Sequence, residues 1–389
     1  MKILSIGLIC LLSAVVCSQQ LRVGIFRENT IKRITISYNQ GNYSLFADTL
    51  YLGELKQYEF VDLVFTNNKV QLKKGTTELG VFERVVLLQE NTNSSLTYKP
   101  VQPALKARKY EHDIEVKAGA TGLTLVNLVE LDTYLKGVVE SEGGGGKHIE
   151  YYKVQALMSR TYALKYLGKH KKEGFDLCDR VHCQAYHSML RFTPKIDSAV
   201  NSTSGTIMTD HKGELVDAYF HANCGGQTSE PQYIWNSTIP YLNSFQDTFC
   251  IYTKQANWEK RVSKERWLKF LVDKYNYPIQ DSLFSSIVFT FSQPSRMAFY
   301  IDPVLGIPLR DLREEFNLKS TFFSCYPDGD DVLIKGRGFG HGVGLCQEGA
   351  MKMAVSGFDY SQIARFYFPG IELRNMNEKL LFNQKRIME

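Results

Sequence analysis

Between residues 131 and 142 apolar side chains recur at Leu131, Leu135, Val138 and Val139. At about 100° per residue this spacing gathers them on one face of a helix. Glu142 projects onto the middle of that face, and Glu140 nearly opposite, towards solvent. Residues 149–167 predict a second, longer helix with Val154, Leu157, Met158, Thr161 and Leu164 on one stripe. A run of four glycines, Gly143 to Gly146, separates the two. Short β-branched or alternating runs at 21–26, 33–38 and 81–88 predict strands divided by Asn-, Gly- and Thr-rich turns. Further strands are predicted at 114–116 and 123–129, and helices at 265–275, 309–316 and 347–355. The fold class is therefore α+β: mixed helices and an antiparallel-rich sheet, with a smaller β-rich N-terminal domain. Two prolines in residues 99–106 suggest a linker. The expected boundaries are 1–18, 19–105 and 106–389.

Residues 1–18 open with Lys2, continue through an apolar run over 3–16 and end in Val16-Cys17-Ser18. That order predicts a signal peptide, too short for a permanent span, cleaved near Ser18. Export to the periplasm or the exterior follows. Cys17 offers a lipoprotein alternative, against which Val16 stands where a small residue is expected. No later segment is long and apolar enough for a transmembrane anchor. The net charge of +5 becomes +4 once Lys2 leaves. That excess is too small to indicate nucleic acid and suits an anionic polymer. Eight cysteines become six in the mature chain, an even number that permits full pairing in an oxidising compartment.

A carboxyl at the end of an apolar stripe is partly desolvated, which keeps it protonated near neutrality, as a general acid must be. Spacing alone does not separate this from a helix-end glutamate turned out into water. Five motifs in order along the chain do: LDTYLKGVVESE ending at Glu142, VQALMSRTYAL over 154–164, CDRVHCQAY over 178–186, AYFHANCGGQT over 218–228 with Trp235 and Pro240 to Leu242, and GRGFGHGVGLCQEGA over 336–350. Together they resemble the stage II sporulation protein D (SpoIID/LytB) family over roughly residues 110–375. The resemblance implies an exported peptidoglycan lytic transglycosylase. Such an enzyme cleaves the glycan strand between N-acetylmuramic acid and N-acetylglucosamine and leaves 1,6-anhydro ends, with no cofactor required for catalysis. It also implies that Glu142 is the acid and base, with Glu140 as fallback. Motif membership makes Arg160, His221, Gln227, Thr228, His341 and Gln347 the expected substrate contacts. The chain departs from the family in having Gly143-Gly144 where Met-Pro is usual, and Cys224 and Cys346 where serine is common.

Cys178, His182 and Cys183, with His170 nearby, could hold a structural zinc, or the two cysteines could be oxidised. Cys224 and Cys250 flank the Trp235 stretch and suggest a disulfide. Two rival functions stand beside the transglycosylase. One is a non-catalytic wall-binding module that stimulates an N-acetylmuramoyl-L-alanine amidase, which has no need of an acid in an apolar stripe. The other is a cysteine amidase depending on Cys346 and His341. The expected partners are peptidoglycan glycan strands and a cell-wall amidase.

Overall fold

The structure is a computed structural model and describes residues 19–376; the expected signal peptide lies outside the described residues. The described chain mixes helices with antiparallel-rich sheets, as the patterning predicts. It divides into two compact units between Tyr134 and Leu135.

The first unit is built of β1 (Gln20–Ile25), β2 (Arg33–Gln40), β3 (Tyr43–Ala47), β4 (Leu50–Leu55), β5 (Phe60–Thr66), β6 (Lys69–Lys74), β7 (Thr77–Phe82), β8 (Arg84–Gln89), β9 (Ser95–Gln102), β10 (Arg108–Glu111), β11 (Asp113–Ala118) and β12 (Leu123–Glu130). One sheet runs β1-β12-β11-β8-β3-β4 and the other β10-β9-β2-β5-β6-β7. Alternation produces the faces: in β6, Val70 and Leu72 are buried while Lys69 and Gln71 stand out. The single strand expected over 81–88 is two, β7 and β8, broken at Glu83. The side chain of Asp48 accepts the backbone N–H groups of Glu83 (3.0 Å) and Arg84 (2.9 Å) and makes the corner. Residues 99–102 lie within β9, so the boundary expected at 105–106 falls inside this unit. Pro100 is accommodated there because β2 and β9 shift register beside it.

In the second unit, α1 (Leu131–Gly143) buries Leu135, Val138 and Val139 completely, the stripe read from the sequence. Helix α2 (Ile149–Lys165) departs from the expected single stripe. It is buried almost all round, including Gln155, Ser159 and Arg160. It packs against α3 (Lys195–Ser202), β14 (Thr206–Thr209), α8 (Gln347–Val355) and α9 (Tyr360–Tyr367). Short strands β13 (Leu177–Cys178) and β15 (Phe220–His221) and helix α4 (Gln232–Trp235) lie in the loops that follow α2.

A lobe with its own core interrupts this unit. It contains β16 (Asn257–Ser263), α5 (Lys264–Tyr275), α6 (Ser282–Ile287), α7 (Leu309–Glu315), β17 (Phe323–Asp328) and β18 (Asp331–Arg337), with sheet order β16-β18-β17. Trp267 anchors it, stacked on Phe316 at 4.7 Å and edge-on to Tyr300 at 5.6 Å. The chain then returns as β19 (Leu345–Cys346), parallel to β15, and ends its described course in β20 (Glu372–Asn375), paired with β14.

Candidate active site

The C-terminal end of α1, the C-terminal end of α2, and the segments around 181–183, 218–222 and 339–347 enclose a cleft of about 720 Å³. Glu142 is the only carboxylic acid among the described residues that line it. Much of the rest of the lining is aromatic. Tyr219 and Trp235 lie 4.6 Å apart, and the His341 ring sits 5.2 Å from Trp235. Trp235 and Phe339 keep 40% and 42% of their surface exposed, an accessible apolar face in the cleft that Glu142 lines.

Helix α1 delivers Glu142 to the cleft at the end of its buried stripe. Withdrawal from water raises the carboxyl above its ordinary range, and the Ala185 N–H, donating to Oε1 at 2.7 Å, opposes that rise only in part. Because Oε1 is already an acceptor, a proton on this group belongs on Oε2. Glu140 has a different place. Its two oxygens accept the N–H groups of Arg191 (3.0 Å) and Phe192 (2.8 Å), and it does not line the cleft. The fallback acid is a clamp on the 191–192 loop. Replacing Glu140 with glutamine leaves one acceptor oxygen for the two N–H groups, so one bond becomes neutral and the other is lost. It should lower stability by about 1–2 kcal/mol while leaving turnover near wild type, measured as Tm and rate on the same preparation.

The other expected contacts divide. His221, His341 and Gln347 line the cleft. His221 is 4% exposed, has Nδ1 3.1 Å from the Val343 carbonyl and leaves Nε2 without a partner. Burial holds its ring well below the ordinary histidine range, aided by repulsion from His341. His341 is pushed down to about 4, first by withdrawal from water and then by the Arg313 charge. It is neutral at pH 7, with Nδ1 accepting the Val343 N–H at 3.1 Å. The Gln347 amide reaches the Glu142 carbonyl at 3.5 Å and so braces the acid's own backbone.

Arg160, Gln227 and Thr228 are not cleft residues. Arg160 is fully buried and donates to the carbonyls of Val200 and Thr206 (both 3.3 Å), tying α2 to α3 and β14. Gln227 accepts the Arg296 N–H and donates to Ser244. The Thr228 hydroxyl donates to the Asn243 carbonyl at 3.1 Å and accepts the Phe245 N–H at 2.9 Å. Their motif positions reflect framework. Tyr166, Lys169, Tyr219 and Phe339 line the cleft without having been singled out from sequence as contacts.

Cys346 is fully buried, lies outside the cleft lining, and burial drives its thiol well above the ordinary range. This removes the basis for a cysteine nucleophile, which needs an accessible thiolate. Cys224 and Cys250 are neighbours, as expected, but their sulfurs are 3.3 Å apart and both thiols are free, against about 2.05 Å in a disulfide. His170, Cys178, His182 and Cys183 converge, with one donor atom from each within 4.8 Å of all the others. His182 and Cys183 belong at once to this cluster and to the cleft wall.

Residues 119–209 match the family described as "SpoIID: Stage II sporulation protein". Stage II sporulation protein D of Bacillus subtilis is 27% identical over 304 residues, which cover 73% of this chain and 85% of that protein. An uncharacterized protein of Brachyspira hyodysenteriae is 27% identical over 320 residues, 81% of this chain and 83% of its own length. The amidase enhancer of Bacillus subtilis is 25% identical over 292 residues, covering 61% of this chain and 40% of that protein. The fold is a mixed α+β scaffold with one carboxylic acid among the described residues that line an aromatic-walled cleft. The chain is thus similar to the stage II sporulation protein D family, whose model matches it over residues 119–209.

Proposed function

We propose that this chain is an exported lytic transglycosylase acting on the glycan strands of peptidoglycan. One observation carries the reading: Glu142 is the sole acid among the described cleft-lining residues, and burial raises its carboxyl above the ordinary range, the direction a general acid needs. Hydrolysis by inversion or retention calls for two carboxyl groups across the scissile bond. A single group suffices when the nucleophile is the C6 hydroxyl of the muramic residue itself, because the attack is intramolecular and already positioned. Glu142 Oε2 would protonate the leaving glycosidic oxygen. The resulting carboxylate would then take the proton of the C6 hydroxyl as the anhydro ring closes. Neutral His341 and the Tyr219–Trp235 pair offer an uncharged, partly apolar bed for sugar rings.

The acid must be protonated to act, so activity should be lost as pH rises through the Glu142 pKa. That pKa lies above the usual carboxylate range. The expected profile of kcat/KM has its alkaline limb set by this one group and is displaced upward from an ordinary glutamate. A profile flat from pH 5 to 9 would speak against it. Digestion in water labelled with oxygen-18 tests the chemistry: transglycosylation leaves the new muramic ends unlabelled, whereas hydrolysis places label on each new muramic reducing end and none on the released O4 end.

The cluster of His170, Cys178, His182 and Cys183 fits a structural zinc. The His170 Nδ1 is held at 2.5 Å by Glu173, which leaves Nε2, 3.4 Å from Cys183 Sγ, as a ligand. Donor separations of this order match the edges of a tetrahedral Cys2His2 zinc site. Bound there, zinc would fix the loop that carries His182 and Cys183 into the cleft wall. The second reading is a wall-binding module that stimulates an amidase. The likeness to an amidase enhancer favours it, and the buried acid weighs against it.

A further inference from the structure

Away from the cleft lining lies another convergence of metal-binding side chains. Cys224 follows the cleft segment 218–222, Cys346 directly precedes Gln347, and Asp247 and Cys250 come from the loop between α4 and β16. One donor atom from each lies within 4.8 Å of all the others, and all four residues are fully buried. We propose that Cys224, Asp247, Cys250 and Cys346 form a buried metal site that takes a tetrahedrally coordinated, zinc-type divalent cation.

The geometry favours a metal over a disulfide. With zinc–sulfur bonds of about 2.3 Å, sulfurs on a tetrahedron stand about 3.8 Å apart; the Cys224 and Cys250 sulfurs, at 3.3 Å, need only a small outward shift to reach that, and all four donor atoms already lie within 4.8 Å of one another. A Cys224–Cys250 disulfide would account for two groups and strand the other two. Asp247 is the harder one to explain without a cation. It is 0% exposed, and its hydrogen-bond partners are the Tyr367 hydroxyl (2.9 Å), the Phe249 N–H (3.0 Å) and the Cys224 thiol (3.3 Å), none of them charged basic groups. A carboxylate withdrawn from water with no cation is costly. Cys346 behaves as a ligand should. Its sulfur accepts the N–H groups of Cys224 (3.3 Å) and Gly349 (3.4 Å) and caps the N-terminus of α8, where negative charge is favoured.

The support around the ligands is equally specific. The Tyr367 hydroxyl orients Asp247. Gly349 has to be glycine, since a Cβ there would stand 2.2 Å from that hydroxyl and 2.7 Å from the carboxylate. Buried Arg296 donates to the Cys224 carbonyl at 2.7 Å and offsets part of the negative charge of the ligands. A cation here would lock β15 to β19 behind the strands that carry His221 and lead into Gln347.

The test is metal content of the full chain purified with reductant, by elemental mass spectrometry, for wild type, C178S/C183S and C250S. The two clusters together predict about two zinc ions per chain, falling to about one in either variant. The C178S/C183S variant isolates the buried site. After chelation and refilling with Co2+ it should show sulfur-to-cobalt charge transfer and intense tetrahedral visible bands, and D247N in that background should weaken cobalt retention at least tenfold. Because the first cluster is removed in that background, its failure to bind zinc in wild type would leave this result intact. Absence of metal and of a cobalt spectrum in C178S/C183S overturns the proposal. So does an intact mass lower by two hydrogens with Cys224 and Cys250 protected from alkylation.

Discussion

Replacing Glu142 with glutamine is expected to reduce the release of glycan fragments from purified sacculi by roughly 10²–10⁴-fold, the usual contribution of a positioned general acid. The substitution is nearly isosteric. The amide oxygen it introduces can still accept the Ala185 N–H that now holds Oε1 at 2.7 Å, so the end of α1 should keep its geometry. What is lost is the transferable proton and the base it leaves behind. Binding to sacculi and Tm should stay near wild type while kcat falls. Retention of more than about a tenth of the rate would move the acid elsewhere, and no other carboxylic acid lines the described cleft. Comparison with E140Q sharpens the result, because Glu140 carries the same carboxyl group two residues away but holds two backbone N–H groups instead.

Gly344→Ala should destabilise the protein by roughly 2–5 kcal/mol and disturb the cleft wall at the same time. Gly344 has φ +72°, and a Cβ added there would stand 2.2 Å from the Tyr219 carbonyl oxygen. A left-handed alanine costs about 1–2 kcal/mol, and forcing an atom into a packed backbone contact costs about 1–3 kcal/mol more. Tyr219 lines the cleft and packs on Trp235, so the same push should raise KM. Urea denaturation and sacculus binding measure the two effects. Gly370→Ala is the control: it also has positive φ, but its Cβ would meet nothing within 4 Å, so only the backbone cost applies.

The sequence disclosed most where burial is one-sided. Helix α1 hides one stripe, so its period reads clearly and places Glu142 at the stripe's end. Helix α2 hides nearly its whole circumference, and no stripe can report that. Its buried Gln155 and Arg160 have partners distant in sequence, Gln347 for Gln155 and Val200 and Thr206 for Arg160. The same long-range closure explains Gln227 and Thr228. A motif marks them as important, but only the fold shows that they tie loops to Arg296, Asn243 and Phe245. The break at Glu83 depends on Asp48, 35 residues earlier. Tyr166 and Lys169 reach the cleft because α2 ends there, and local spacing holds no trace of it. The inserted lobe was legible as helices but not as a sheet, since β16 pairs with β18 across more than sixty residues of intervening chain.

The most direct test of the central claim is mass spectrometry of the fragments released from native and amidase-stripped sacculi by wild type and by E142Q. The account predicts new 1,6-anhydro-muramic ends with wild type and none with E142Q, on at least one of the two substrates. If wild type produces no anhydro ends on either substrate, yet its addition accelerates a purified amidase, the enzymatic reading is contradicted and the wall-binding one takes its place.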